Sequence, residues 1–184
     1  MKNYKRIHLH NKYYLDHEYT LKNTNKIYKP INIVDYNYSI AFWFTINPQS
    51  KGSRPNTNKP ANILRMGTLK KANPSITYTL TTNTLNISSC RNENDASCSL
   101  FTTNDLKYQK WNHVVLNYQS GLVDVFLNGE LRNTTTNVQP RLLNSDIIIG
   151  EMNGVQGGIT DIVYRKFILS SKEIRRIYKT STLI

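Results

Sequence analysis

Between residues 111 and 135 the chain alternates apolar and polar positions with a period of two. Val114, Leu116 and Tyr118 fall on one side of an extended segment and Val115 and Asn117 on the other, as successive side chains of a strand must. Gln119-Ser120-Gly121 interrupts the run, and Gly121 can take a positive φ without a side-chain clash. Val123, Val125 and Leu127 resume the alternation on a second strand, opposite Asp124 and Asn128. Asn128-Gly129 is a strong two-residue hairpin signal, because a type I′ turn needs positive φ at both central positions. A third short strand is expected at 130–135. The result is a β-meander with one apolar face.

The same period marks residues 31–46, where Ile40, Phe42, Phe44 and Ile46 alternate with Ala41, Trp43 and Thr45. Asn47-Pro48 ends this strand, since proline has no N–H for the ladder. Trp43 has two readings, a sugar-stacking platform or a core ring. Phe42, Trp43, Phe44, Trp111, Val125 and Leu127 are assigned to the structural core. Further strands are expected at 63–67, 75–80, 84–88, 99–103, 146–150 and 159–164, and residues 13–21 are expected to pair as the first strand. Helical periodicity is nearly absent until the end of the chain. There Ser170 and Glu173 form a capping box, and Ile174, Ile177 and Tyr178 share one face. Lys172, Arg175, Arg176 and Lys179 then point outward.

Composition fits one folded domain. At 184 residues, 39% hydrophobic and 20% charged, the chain can bury a core and is not a disordered polymer. Two regions are distinguished: 1–30, a basic, Tyr-rich arm with the first strand, and 31–184, the sandwich proper. No apolar run is long enough to cross a bilayer. No signal-peptide pattern is visible at Met1-Lys-Asn-Tyr-Lys, and a missing anchor or neighbouring domain is left open. The abundance of Asn and Lys is what an A+T-rich genome produces through its codons. The formal net charge of +12 and pI near 9.7 suit a polyanion, an acidic glycan or an acidic partner protein. The cations are dispersed, without an Arg-rich helix or an aromatic RNA-binding motif, so nucleic acid is disfavoured. Lys2, Lys5, Arg6, Lys51, Arg54, Lys59, Lys70 and Lys71 are the candidate contacts for a partner or polyanion.

Cys90 and Cys98 are the only cysteines. They flank two neighbouring strands, where a disulfide would staple the loop base and contribute roughly 2–3 kcal/mol by the chain-entropy estimate. The other reading is a reduced pair. Two thiols alone leave a zinc site incomplete, and His8 and His10, though on one face of an extended segment, have no acidic or Cys partner nearby. No metal and no cofactor is assigned. Asn37, Asn86 and Asn133 open glycosylation sequons, each on or beside an expected strand. The loops at 48–61 and 151–158 are the places where a binding site would sit, and the second lacks the pattern of a phosphate cradle.

Trp111-Asn-His-Val followed by Val123-Asp-Val-Phe-Leu-Asn-Gly-Glu-Leu resembles the laminin-G-like domains of the concanavalin A-like lectin/glucanase superfamily. Gly157-Gly158-Ile159-Thr160-Asp161-Ile162 and Leu169-Ser170-Ser171-Lys172-Glu173-Ile174 resemble that family's closing strand and helical turn. The resemblance implies an all-β, two-sheet antiparallel jelly-roll sandwich with a short C-terminal helix. It also implies structural roles for His113 and Asp161. The family's hydrolases carry an E-x-D-x-E strand that places two acids on one face. No such trio occurs here, so catalysis is not expected, and no acid cluster is present to anchor the calcium that many members bind. The leading expectation is a structural or adhesive module of a larger assembly, such as a minor structural protein of a large DNA virus particle, located on a virion or extracellular surface. The alternative is a lectin-like module binding glycan through the loops at 48–61 and 151–158, and a glycoside hydrolase ranks third.

Overall fold

The computed structural model describes residues 6–9, 11–21, 37–49, 59–67, 72–89, 98–138 and 146–181. In chain order the strands are β1 (Arg6–Leu9), β2 (Tyr13–Tyr14), β3 (Tyr19–Leu21), β4 (Asn37–Ile46), β5 (Ala61–Met66), β6 (Ser75–Thr79) and β7 (Thr84–Ser88). They continue with β8 (Ser99–Thr103), β9 (Asn112–Gln119), β10 (Leu122–Leu127), β11 (Glu130–Thr135), β12 (Ile147–Ile149) and β13 (Gly157–Arg165), followed by helix α1 (Ser171–Thr180). A seven-stranded sheet runs β1-β13-β4-β9-β10-β11, with β2 also on β13, and a six-stranded sheet runs β3-β12-β5-β6-β7-β8. All pairings are antiparallel. Two antiparallel sheets packed face to face with one short helix make the jelly-roll sandwich.

The core lies between the sheets. Phe42, Phe44, Val114, Leu116, Val125 and Ile159 of the first sheet face Ile63, Ile76, Leu85, Ile87 and Ile149 of the second, all fully buried. Each such side chain stabilises the fold by roughly 1.5–3 kcal/mol relative to exposure. Both hairpin turns of the meander take the type I′ form. Ser120 and Gly121 have φ of 48° and 89°, Asn128 and Gly129 of 54° and 85°, which matches the strand twist. A bulge in β13 falls between Thr160 and Val163, with Asp161 at φ 49° as the extra residue. It leaves Ile159 and Ile162 both inward and Thr160 and Val163 both outward.

The chain departs from the sequence expectation in three places. Residues 13–21 form two short strands rather than one: β2 pairs with β13 in one sheet and β3 with β12 in the other. Leu15, fully buried, marks the crossing. The first two strands of the meander bury part of their outer face as well, because Val115 and Phe126, with Ala41 of neighbouring β4, meet Leu169 and Ile174 beneath α1. Trp111 does not belong to the core. It is only partly buried and lies on the outer surface, whereas Phe42, Trp43, Phe44, Val125 and Leu127 are all buried.

Candidate functional site

The outward positions of β9 form a row of Asn117, Val115 and His113, and Trp111 continues it just before the strand begins. Helix α1 covers the first three. Its capping box is complete: the Glu173 N–H donates to Ser170 Oγ at 3.3 Å and the Ser170 N–H donates to Glu173 Oε2 at 2.9 Å. The Ser170 hydroxyl also donates to Glu173 Oε2 at 2.6 Å, and this bond first, with the Ser170 N–H bond second, holds the Glu173 pKa below the usual range. The approach to the helix is clamped by Asn117, whose amide donates to the Leu169 carbonyl at 2.7 Å and accepts from the Leu169 N–H at 3.2 Å.

At the far end of the helix, Tyr178 closes over a stack of rings. Trp43 and His113 are register partners on β4 and β9, with ring centroids 4.6 Å apart, and Tyr178 stacks on Trp43 at 5.8 Å. Gly129 leaves room for this, since a Cβ there would stand 3.2 Å from Tyr178 atoms. Burial lowers the His113 pKa to about 4, Arg165 pushes the same way and Asp161 opposes. His113 Nδ1 is buried with no hydrogen-bond partner among the described residues. Trp43 therefore belongs to a closed structural stack under the helix and is not open to a sugar.

Beyond the helix end the outer face opens. Tyr14 is 56% exposed, and Lys12 Nζ lies 5.8 Å from its ring centroid and 5.6 Å from that of Trp111. Gly158 of β13, paired with Tyr14 and Thr45, is the floor. A Cβ at Gly158 would stand 3.1 Å from Lys12 Cε and 3.5 Å from the Trp111 ring, so the missing side chain lets Lys12 approach the sheet beside the ring. Cation–π attraction holds the ammonium over the two rings.

Trp111 is presented by a fastened loop. Asn112 donates to the carbonyls of Lys107 at 2.8 Å and Lys110 at 3.2 Å, and accepts from the Lys107 N–H at 3.0 Å. Asn128 ties Asn112 to the hairpin, donating to Asn112 Oδ1 at 3.1 Å and accepting from the His113 N–H at 2.9 Å. The Gln109 N–H donates to the Ile46 carbonyl at 3.1 Å. Lys107 Nζ donates to Tyr178 Oη at 2.5 Å and lies 5.2 Å from that ring's centroid. Of this platform the sequence offered only Gly158, within the candidate loop at 151–158, because Trp111 was assigned to the core. Lys12 and Tyr14 were missed, because only the crossing at Leu15 brings them to this face.

Of the sequence candidates, Lys59 is exposed just before β5, and Arg6 begins β1 in register with Arg165. Lys2, Lys5, Lys51, Arg54, Lys70, Lys71 and Cys90 lie outside the described residues. Cys98 is disulfide-bonded. The ends of the two candidate loops meet: the Asn47 N–H donates to the Gln156 carbonyl at 2.9 Å and the Gln156 N–H to Gln49 Oε1 at 2.9 Å. The glycines of the second loop serve close backbone approach. A Cβ at Gly154 would be 2.4 Å from the Leu15 carbonyl oxygen, and one at Gly157 2.2 Å from that of Thr45. Among the sequons, Asn133 commits the amide nitrogen that a glycan would take, donating to the Leu100 carbonyl at 2.6 Å. Among the described residues no three His, Cys, Asp or Glu side chains are grouped to hold a metal ion, and no helix is long and apolar enough to cross a membrane.

A laminin-G-type family model, described as the concanavalin A-like lectin/glucanases superfamily, matches residues 21–175. No curated protein sequence matches significantly. Among solved structures, the receptor-binding domain of botulinum neurotoxin C/D mosaic serotype is similar at 17% identity and a TM-score of 0.69, covering 96% of this chain and 46% of its own. The botulinum neurotoxin serotype D ligand-binding domain in complex with N-acetylneuraminic acid gives 17% identity and a TM-score of 0.68, covering 97% and 44%. Trypanosoma rangeli sialidase matches at 20% identity and a TM-score of 0.55, covering 78% of this chain and 22% of its own. The chain thus spans less than half the length of these botulinum domains, and identities this low establish the fold alone.

Proposed function

The chain belongs to the concanavalin A-like lectin/glucanases superfamily, and from that premise we propose that it is a non-catalytic, lectin-like module that binds a glycan on the outer face of the seven-stranded sheet. The observation that carries this reading is the surface platform of exposed Tyr14 and half-buried Trp111 beside Gly158, with the Lys12 ammonium 5.8 Å and 5.6 Å from their ring centroids. The C–H face of a pyranose packs on such rings while its hydroxyls stay at the edge, in reach of polar groups. Glycans bound by structural neighbours favour the same class. Hydrolysis has no support in the residues: the paired acids of the superfamily's hydrolases are absent from the sequence. The test is a glycan array with the purified domain and its Trp111→Ala variant. Reproducible binding that Trp111→Ala abolishes supports the site; binding that the variant leaves untouched removes it.

A second reading, an adhesive or structural module of a larger assembly such as a virus particle, is favoured by β11. This edge strand of the larger sheet carries Leu131 at 52% exposure, and an open edge can pair with another chain. Under this reading the protein sits on a particle or extracellular surface. Mass analysis of the native assembly separates the two: a stoichiometric place in a particle without glycan binding favours the second, a free domain with glycan binding the first.

A further inference from the structure

We propose that the platform selects an acidic sugar, one whose carboxylate pairs with the Lys12 ammonium while its ring lies on Trp111 or Tyr14. This rests on the glycan-binding reading and deepens it. Lys12 is the cation of the platform, and its ammonium contacts two aromatic faces and no carboxylate among the described residues. The carboxylates nearest in sequence are engaged elsewhere: Asp16 bonds its neighbour His17 at 2.8 Å, and Glu18 reaches Arg65 at 3.5 Å on the other sheet. An aromatic face attracts an ammonium without neutralising it, so the charge remains available to an anion. The surroundings add to the same field. Lys110, next to Trp111, and Lys179, next to Tyr178, are exposed, and Lys107 is held on the Tyr178 hydroxyl. With a net charge of +12 the protein draws acidic glycans toward itself at a distance, but only a cation fixed beside the rings discriminates between sugars once bound. A neutral sugar would leave the ammonium without a partner at the moment its water is displaced, whereas a carboxylate gives it a charge-assisted hydrogen bond.

The experiment titrates the whole domain, by calorimetry at physiological salt, with two oligosaccharides of equal length, one neutral and one bearing a uronate or sialate. Wild type, Lys12→Met and Lys12→Arg are compared. Methionine keeps the apolar stem over Trp111 and removes the charge; arginine keeps the charge. The expected result is a preference for the acidic sugar of roughly tenfold or more in wild type, lost in Lys12→Met with neutral-sugar affinity retained, and kept in Lys12→Arg. Equal affinity for both sugars in wild type and Lys12→Met overturns the acidic selectivity and leaves the glycan site standing. An acidic preference that survives in Lys12→Met assigns it to the general field and also overturns the proposal. Binding of neither sugar by any variant overturns the glycan reading itself.

Discussion

Acid should loosen this domain through one histidine. His113 is 2% exposed, lies against Trp43 and has no partner for Nδ1 among the described residues. Its pKa is lowered from 6.5 to about 4, by burial first and by Arg165 second. Because the folded value lies below the unfolded one, the unfolded chain takes up the proton first as pH falls. The contribution is therefore fully favourable above the unfolded pKa, declines from about pH 6.5 downward, and is flat again once pH is below the folded value. A difference of about 2.5 units at 1.36 kcal/mol each gives about 3 kcal/mol in all, of which about 2 kcal/mol is gone at pH 5. The assay is urea unfolding of wild type and His113→Phe at pH 7.5, 6, 5 and 4. Phenylalanine keeps a ring beneath Tyr178 but does not titrate, and carboxylate contributions cancel in the difference. Relative to the variant, wild type should lose roughly 2 kcal/mol between pH 7.5 and 5. Parallel loss in the two proteins would refute the reasoning, because the proton would then not be excluded by the Trp43–His113–Tyr178 stack.

Three further outcomes follow from the packing. Asn112→Ala removes the bonds to Lys107, Lys110 and Asn128 from a buried site; it should cost about 2–4 kcal/mol by thermal or urea unfolding and weaken glycan binding through Trp111. Gly158→Val lifts Lys12 and Trp111 from the sheet, so binding on an array should fall at least tenfold while stability changes by no more than about 1 kcal/mol. Gly150→Ala combines a φ of 62° with a Cβ 2.2 Å from the His17 carbonyl oxygen, and calorimetric unfolding should show a loss of about 3 kcal/mol or more.

What was legible in the sequence was what neighbours along the chain decide. The period of two, the Asn128-Gly129 turn and the Ser170–Glu173 box each involve residues a few positions apart, and each stands in the structure. The crossing at Leu15 could not be read in this way. Nothing local distinguishes one strand at 13–21 from two short strands that pair with β13 and β12, since the choice depends on partners more than a hundred residues away. The Gly-rich run at 151–158 is likewise shaped by distant partners. Gly154 and Gly157 answer to the Leu15 and Thr45 carbonyls pressed against them, and Gly158 to Lys12 and Trp111.

Trp111 shows how a correct pattern still leaves the site undetermined. Alternation puts Asn117, Val115, His113 and Trp111 on one face but is silent on how far that face is covered. Coverage depends on α1, which approaches beside Asn117 and closes with Tyr178 near His113. Its ten residues extend about 15 Å at 1.5 Å each, whereas four alternate strand positions span about 20 Å. The helix can therefore shelter three members of the row and not the fourth. The same sequence pattern thus yields a buried stack at His113 and a half-buried ring at Trp111. The side chain of Lys12, arriving from the segment before β2, then turns that uncovered position from a defect in burial into a charged aromatic surface.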